Sequence, residues 1–170
     1  LKRLAGHRVF GLPYTVTEYN HPAPNPYEAE GFPLLSLYGA LQGWEGLFSF
    51  TYSNGDRWEA DHFDNFFDIS GHPTKMALQP ACAAMLREGH IGQFPDVRGA
   101  KLGTRKRLDV LASEGTRGLD LYTAGVAPGA WRRARVGIVT DGGPPPRRMK
   151  TVPRLFPPLL LPNNHLQQAC

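Results

Sequence analysis

Three successive patterns between residues 14 and 53 restrict the fold of this chain. A short run of β-forming residues at Tyr14–Thr17 is followed by a helical stretch that ends at Gly43, and then by an almost continuous apolar and β-prone run at Gly46–Ser53. Two strands joined by a helix lie parallel in one sheet, so this order predicts a βαβ unit. An unbroken apolar strand is typical of a parallel sheet covered on both faces. The sequence therefore predicts an α/β fold.

The start of the helix is marked by the segment "NPYE" at residues 25–28. Asn25 is a preferred N-cap residue, Pro26 fits the first helical position, and Glu28 stands at the spacing of a capping box. Pro33 lies inside the helical stretch, and we expect it to kink the helix or to delay its regular start.

The chain continues with a polar loop at residues 54–70 and a second helix from Pro73 to Gly89. Strand, helix, strand, loop and helix make two consecutive units of an α/β barrel. A complete (β/α)₈ barrel requires about 250 residues, whereas this chain has 170. We therefore expect an incomplete TIM barrel whose upstream βα units are missing from the chain.

Charge divides the chain near residue 98. Residues 1–97 contain 6 Lys and Arg against 11 Asp and Glu, a net charge of −5, whereas residues 98–170 contain 13 against 4, a net charge of +9. We therefore distinguish a barrel segment at 1–97 from two further segments. Residues 98–143 are interpreted as a small β-containing segment or as an incorrectly assigned reading frame, and 144–170 as a Pro-rich, basic, irregular or disordered tail.

Two patterns in the middle segment suggest regular structure. The stretch "KRLDVLASEG" fits either a short helix or a strand, and "ARVGIVTDGG" fits a strand followed by a turn. We expect no more than a small folded region from these two elements.

One carboxylate stands at the end of the first strand. Glu18 closes the run "YTVTE" and begins the loop that follows it. In α/β barrels the carboxyl ends of the strands carry the chemistry, because the loops after them form one shared pocket. On residue type alone, a solvated surface charge or a structural cap is the commoner role for a single Glu.

The segment "VTEYN" around this carboxylate resembles the seventh-strand signature of retaining glycoside hydrolases built on (β/α)₈ barrels, the clan that includes cellulase-like and β-galactosidase-like enzymes. The following "NPYEAEGFPLLSLYGALQGWEGLFSFTYS" is similar to helix seven and strand eight of that clan, and "DISGHPTKMALQPACAAMLREG" to its helix eight. The similarity covers residues 1–89. The two βα units would then be the last two of the barrel, with strands seven and eight.

The resemblance implies that Glu18 is the nucleophile of a retaining glycosidase that cleaves O-glycosidic bonds of oligo- or polysaccharides with two carboxyl groups about 5 Å apart. The acid/base of the clan is a Glu that follows an Asn near the end of strand four, and this chain contains no Asn-Glu pair. We therefore expect the isolated chain to be inactive. No cofactor is implied. The sugar, the linkage and the compartment of the parent enzyme (secreted, periplasmic or cytoplasmic) stay open.

Four further residues are candidates for sugar binding. Asn20 and His21 follow the first strand and can bond sugar hydroxyls, although "NHPAP" also fits plain turn chemistry. Tyr52 closes the second strand, where the resemblance implies an aromatic floor of the sugar site, and a core Tyr with a solvated hydroxyl is the alternative. Trp58 in the long loop can stack on a sugar ring. Trp44 is expected to pack under the helix–strand turn.

A metal site is not expected in this chain. Asp61, His62 and Asp64 offer donor groups, but they form neither a helical pair of His residues nor a Cys-x-x-Cys motif. A solvated acidic loop is the simpler interpretation. The glycines form no phosphate-binding motif either.

The basic second half favours a different class of function. Its cations lie in the clusters "KLGTRKR", "WRRAR" and "PPPRRMK", which suit a small non-catalytic module that binds nucleic acid or another anionic surface. Against a nucleic-acid partner, the clusters are separate and contain only Trp131 as an interleaved aromatic residue. A solvated tail is a further interpretation. No apolar run approaches the roughly 20 residues that span a bilayer, so no membrane partner is expected.

Overall fold

The computed structural model describes residues 1–56, 58–59, 61–62, 64–115 and 121–142, so the predicted tail at 144–170 lies outside the described residues. The helices are α1 (Lys2–Gly6), α2 (Gly31–Gln42), α3 (Pro73–Arg87) and α4 (Thr104–Glu114), and the strands are β1 (Thr15–Tyr19), β2 (Gly46–Ser49), β3 (Val97–Lys101) and β4 (Arg135–Val139). None of these described helices has the length and the apolar character that crossing a membrane requires.

The strands form two parallel pairs. β1 pairs with β2, and helix α2 connects them, so the βαβ unit expected from the sequence is present. β3 pairs with β4 at five consecutive positions, and α4 lies between them in the chain. Residues 8–10 run beside β4, because the Phe10 N–H donates to the Ile138 carbonyl (2.9 Å) and the Ile138 N–H donates to the Arg8 carbonyl (2.7 Å).

The middle of the chain is more regular than its composition suggests. The stretch "KRLDVLASEG", which fits a helix or a strand, is helical in α4, and the strand expected in "ARVGIVTDGG" is β4. Both belong to a second βαβ unit, β3–α4–β4. Residues 98–143 thus contribute an α/β element in their described part.

Helix α2 begins later than its cap signals indicate. Asn25 Oδ1 accepts a hydrogen bond from the N–H two residues later (2.9 Å), but a 3₁₀ turn at Glu28–Glu30 follows, and the α-helix begins only at Gly31. Pro33 has no N–H to donate, so it is tolerated only in the first turn of a helix. It delays the regular start, which is one of the two effects that we expected.

Helix α2 ends in a Schellman turn at Gly43. Gly43 has a φ of +68°, which glycine adopts without a steric penalty. The N–H of Gly43 donates to the Ala40 carbonyl (3.1 Å) and that of Trp44 to the Gly39 carbonyl (2.8 Å). The turn directs the Trp44 indole into the core, where it lies against the ring of Tyr14 (5.4 Å between centroids). Trp44 packs at this turn, as predicted.

One hydrophobic core crosses the change in composition at residue 98. Its buried members come from both sides of that position: Ala5, Val16, Leu35, Trp44, Ala100, Leu102, Leu121, Val136 and Ile138. A smaller cluster of Phe32, Ile69 and Cys82 lies between α2 and α3. The change of charge at residue 98 is therefore not a break in the packing of the chain.

Strand β2 is less covered than its apolar sequence predicts. It ends at Ser49 rather than at Ser53, and its residues Phe48 and Ser49 are exposed, Phe48 by 57%. Within the described residues, β1 is the only strand paired with β2, so one edge of β2 is open. The expected coverage of β2 on both faces is thus not found in the described part of the chain.

The side chain of Gln42 joins the two halves of the chain. This fully buried amide donates two hydrogen bonds from Nε2, to the carbonyls of Trp131 and Ala134 (both 2.7 Å). Its Oε1 accepts a third bond from the Val136 N–H (2.9 Å). The guanidinium of Arg8 donates to the main-chain carbonyl of Gln42. The end of α2 is therefore fixed to β4 and to the segment that precedes it.

Replacement of Gln42 by Ala should destabilise the fold strongly, because it leaves two carbonyls and one N–H buried without partners. Each such group costs about 1–3 kcal/mol, so we expect the free energy of unfolding, measured by urea titration, to fall by about 3 kcal/mol or more. Gln79→Ala is the matched control, since the Gln79 amide nitrogen has no partner among the described residues. It should change the free energy by less than about 1 kcal/mol. Equal losses in the two variants would contradict the linking role of Gln42.

Candidate active site

Glu18 lies in a β-bulge near the carboxyl end of β1. The pairing runs from Val16↔Leu47 to Tyr19↔Ser49, so the two residues Thr17 and Glu18 face one residue of β2. Bulges of this kind re-aim side chains and are frequent next to active sites. Val16 points into the core, whereas Thr17 and Glu18 are both exposed. The strand ends one residue after Glu18 rather than at it.

The carboxyl ends of β1 and β2 are tied together by the end of the long loop. The Phe50 N–H donates to the Tyr19 carbonyl (3.0 Å). The carbonyl of Phe67 accepts two hydrogen bonds, from the Thr51 N–H (3.1 Å) and from Asn20 Nδ2 (2.6 Å). The residues that follow both strands are therefore held at one edge of the sheet by a single carbonyl.

Asn20 and His21 come together, but their polar groups have internal partners. Asn20 Oδ1 accepts a hydrogen bond from Lys75 Nζ (3.1 Å), in addition to the bond that its Nδ2 donates to Phe67. His21 Nε2 lies 2.9 Å from the hydroxyl of Tyr19, and its main-chain carbonyl accepts from Lys75 Nζ (2.7 Å). Both side chains brace the segment after β1, and their role in sugar binding stays a prediction.

Tyr52 and Trp58 form an exposed aromatic stack. Their ring centroids are 5.7 Å apart with an interplanar angle of 22°, and the Tyr52 hydroxyl donates to the Trp58 carbonyl (3.1 Å). Tyr52 is 39% exposed and Trp58 61%. Flat, partly exposed rings of this kind offer an apolar surface with polar groups at its margin. The structure thus brings these two predicted residues together after β2.

A buried carboxylate anchors the loop that carries Trp58. Asp68 is 4% exposed, and its Oδ1 accepts hydrogen bonds from the main chain (2.8 Å) and the side chain (3.0 Å) of Asn54. Its Oδ2 accepts from the Asn65 N–H (3.2 Å). The Asp68 side chain therefore holds the beginning and the end of the loop together. Sequence reasoning missed Asp68, because an Asp in a polar loop gives no signal of its burial.

His62 lies between two carboxylates of the same loop. Its Nδ1 is 2.7 Å from Asp61 Oδ1, and its Nε2 is 3.1 Å from Asp64 Oδ1. All three residues are well exposed. Among the described residues, no group of three or more His, Cys, Asp or Glu side chains is arranged to hold a metal ion.

The most buried charge of the described chain belongs to a residue that sequence reasoning missed. The Lys75 side chain is fully buried, and its Nζ lies 3.7 Å from Glu28 Oε2. Glu28 does not complete the predicted capping box, since its Oε1 is bonded to His72 Nε2 (2.6 Å). Burial lowers the pKa of the Lys75 ammonium from its usual 10.5, and the Glu28 carboxylate opposes this effect in part. The burial of Lys75 could have been predicted from its spacing, because it lies seven residues before Cys82 and therefore on the same face of the helix, and Cys82 is buried.

The basic cluster "WRRAR" is only partly exposed, and the cluster "PPPRRMK" lies outside the described residues. The Trp131 ring packs against Tyr38 (4.7 Å between centroids). Arg135 is buried, and its Nε donates to the Phe94 carbonyl (3.0 Å). Of the cluster "WRRAR", only Arg132 and Arg133 are exposed. No described contact therefore favours the nucleic-acid alternative.

Comparison of the chain with models of known protein families finds no match, and comparisons with curated proteins and with solved structures find none either. The assignment of a function therefore depends on the residues and the geometry described above.

The stability of the chain should depend on the ionisation of Lys75. Because its pKa is lower in the folded state than the usual 10.5, charged Lys75 opposes folding. As the pH rises through the lowered pKa towards 10.5, the unfolded chain holds more protons than the folded chain, and stability increases. We expect the melting temperature of the wild type to rise relative to that of Lys75→Met between neutral pH and this value. A difference that does not change with pH would contradict the prediction.

Proposed function

We propose that this chain carries the nucleophile side of the active site of a retaining (β/α)₈ glycoside hydrolase, with Glu18 as the nucleophile. The observation that supports it is the position of Glu18, exposed on a bulge at the carboxyl end of a parallel strand whose neighbour leads into the Tyr52–Trp58 stack. Carboxyl ends of parallel strands meet at one edge of a sheet, where ligands of α/β proteins bind. Glu18 and the stack thus belong to the same edge.

Glu18 attacks the anomeric carbon of the sugar and forms an ester with it, while a second carboxyl group protonates the leaving oxygen. That second group must lie about 5 Å from the nucleophile. This chain has no Asn-Glu pair to supply the acid/base of the clan. In this proposal another part of the enzyme contributes it, and the isolated chain does not turn over glycosides.

The open edges of the small sheet support a larger barrel. Within the described residues, β1 and β2 pair only with each other, and parallel sheets are normally covered on both faces and flanked by further strands. Phe48 on β2 is 57% exposed, which is unusual for a large apolar residue in a parallel strand. Further strands beside β1 and β2 would cover this surface and place a second carboxyl group opposite Glu18.

The Tyr52–Trp58 stack serves in this proposal as a platform for one sugar ring. Sugar rings have an apolar face that packs on aromatic rings, and their hydroxyls bond to polar groups at the margin. The hydrogen bond from the Tyr52 hydroxyl to the Trp58 carbonyl fixes the two rings relative to each other. Because both are still partly exposed, a sugar can reach them without a rearrangement of the loop.

Glu18→Gln in the enzyme that contains this chain should reduce kcat on aryl glycosides by about 10⁴-fold or more, since it removes the group that forms the covalent intermediate. Azide should restore turnover of the smaller variant Glu18→Ala and give a glycosyl azide of inverted configuration. This product forms because azide enters from the face that Glu18 vacates.

Glu45→Gln is the control, because Glu45 precedes β2 at the opposite end of the sheet, where it accepts a hydrogen bond from the Tyr14 N–H (2.7 Å). It should keep its turnover. Unchanged hydrolysis by Glu18→Gln, or a rescue product of retained configuration, would exclude Glu18 as the nucleophile.

Trp58→Ala should weaken the binding of oligosaccharides with little effect on the chemical step. Loss of one stacked ring is expected to raise KM by about 3- to 10-fold and to leave kcat unchanged, because the ring contacts ground state and transition state alike. Phe66→Ala is the control in the same loop, where Phe66 is 52% exposed and packs on Phe67. The same increase in KM for both variants would argue against a platform at Trp58.

A further inference from the structure

Lys75 contacts the segment that directly follows the proposed nucleophile. Its Nζ donates to Asn20 Oδ1 (3.1 Å) and to the His21 carbonyl (2.7 Å). These are the second and third residues after Glu18. Lys75 itself is on α3, beyond the second strand and the long loop. The hydrogen bonds of one lysine therefore connect this helix to the end of β1.

The carboxylate beside the buried Lys75 ammonium is shared with a second group. Its side chain is fully buried, and Glu28 Oε2 lies 3.7 Å away while Glu28 Oε1 is bonded to His72. His72 Nδ1 accepts the Lys75 N–H (3.3 Å) as the N-cap of α3, so it is Nε2–H that donates to Glu28 Oε1. Removing an ammonium from water is unfavourable, and buried ion pairs are often replaced by apolar residues without loss of stability. The desolvation of the Lys75 ammonium therefore counts against stability at this position.

Asn20 links the lysine to both strand ends. Its Oδ1 accepts a hydrogen bond from Lys75 Nζ, and its Nδ2 donates to the Phe67 carbonyl, which also accepts from the Thr51 N–H after β2. A displacement of the lysine would therefore be transmitted through Asn20 to the backbone that follows β1 and β2.

We propose that Lys75 is a positioning residue for Glu18: it fixes the backbone of Asn20 and His21, and through them the direction in which the bulge presents the Glu18 carboxylate. The proposal rests on the proposed function of Glu18 as nucleophile. Lys75 touches neither substrate nor the reacting atoms, because its side chain is fully buried. It acts only through the two residues that it bonds.

The test is Lys75→Met in the enzyme that contains this chain, since Met keeps most of the length of the side chain and removes its charge and donors. A displacement of reacting groups by about 1 Å can reduce a rate by about 100-fold, so kcat should fall by about 10- to 100-fold. KM should stay within about twofold, because the Tyr52–Trp58 platform is untouched. A fall in kcat without a change in KM is a combination that a general loss of structure would not give.

Hydrogen exchange gives a second measurement that does not depend on activity. The peptide covering residues 17–23 should exchange faster in Lys75→Met, whereas peptides from β3 and β4 should not change. Lys106→Met is the matched control, since Lys106 is exposed on α4, and it should change neither kcat nor exchange. If Lys75→Met fails to fold, Asn20→Ala tests the same link and should lower kcat and speed exchange in the same peptide.

The outcomes separate this proposal from the one on which it rests. Loss of activity in Glu18→Gln with unchanged kcat and unchanged exchange in Lys75→Met overturns only the positioning role. Full activity in Glu18→Gln excludes Glu18 as the nucleophile, and the positioning proposal fails with it. A fall of kcat in Lys75→Met that is accompanied by faster exchange in β3 and β4 as well would show a general structural role and would also overturn the proposal.

Discussion

The packing of the two halves depends on the amide of Gln42. Its two donors and one of its acceptor positions are used in bonds to Trp131, Ala134 and Val136, and the whole side chain is buried. The halves carry net charges of −5 and +9, yet this contact between them is made by a neutral group. A neutral, satisfied amide avoids the desolvation penalty of a buried ion pair and is insensitive to salt. The helix that it terminates is also the crossover of the β1–β2 unit, so the same three bonds help to fix the position of that sheet relative to β4.

Lys75 is the counterpart of Gln42 at the other end of the β1–β2 sheet. Both side chains are buried and both cross-link distant segments, but the lysine brings a charge into a place where burial lowers its pKa. A neutral amide that is fully bonded contributes to stability, whereas a buried ammonium carries a desolvation penalty that its partners must offset. The two ends of the sheet therefore differ. The hydrogen bonds of Gln42 stabilise the fold at one end, whereas the buried charge of Lys75 lies at the other end, beside the predicted nucleophile.

Patterns of neighbouring residues predicted the helices and strands. Contacts between residues far apart in the sequence determined the features that these patterns could not predict. Gly43 and Pro33 act on their own turn of helix, so their effects could be read from the chain. The bulge at Glu18 depends on register with β2, and the partner of Glu28 is His72, which is 44 residues away. No pattern of neighbouring residues encodes either. The choice between helix and strand for "KRLDVLASEG" was open for the same reason, since a short apolar pattern fits both until its tertiary partners are known.

The exposure of Glu18 has a consequence for the chemistry that the proposal assigns to it. A carboxylate in contact with bulk water is strongly solvated, and water screens it from other charges. Its attack on a sugar requires that this hydration be replaced by fixed partners. Strands that complete the sheet beside β1 and β2 would do three things at once: they would cover the exposed Phe48, remove water from Glu18 and bring the second carboxyl group within reach. In this proposal the strands that complete the sheet also complete the active site. Glu18 can therefore act as a nucleophile only when further strands pair with the open edges of its sheet.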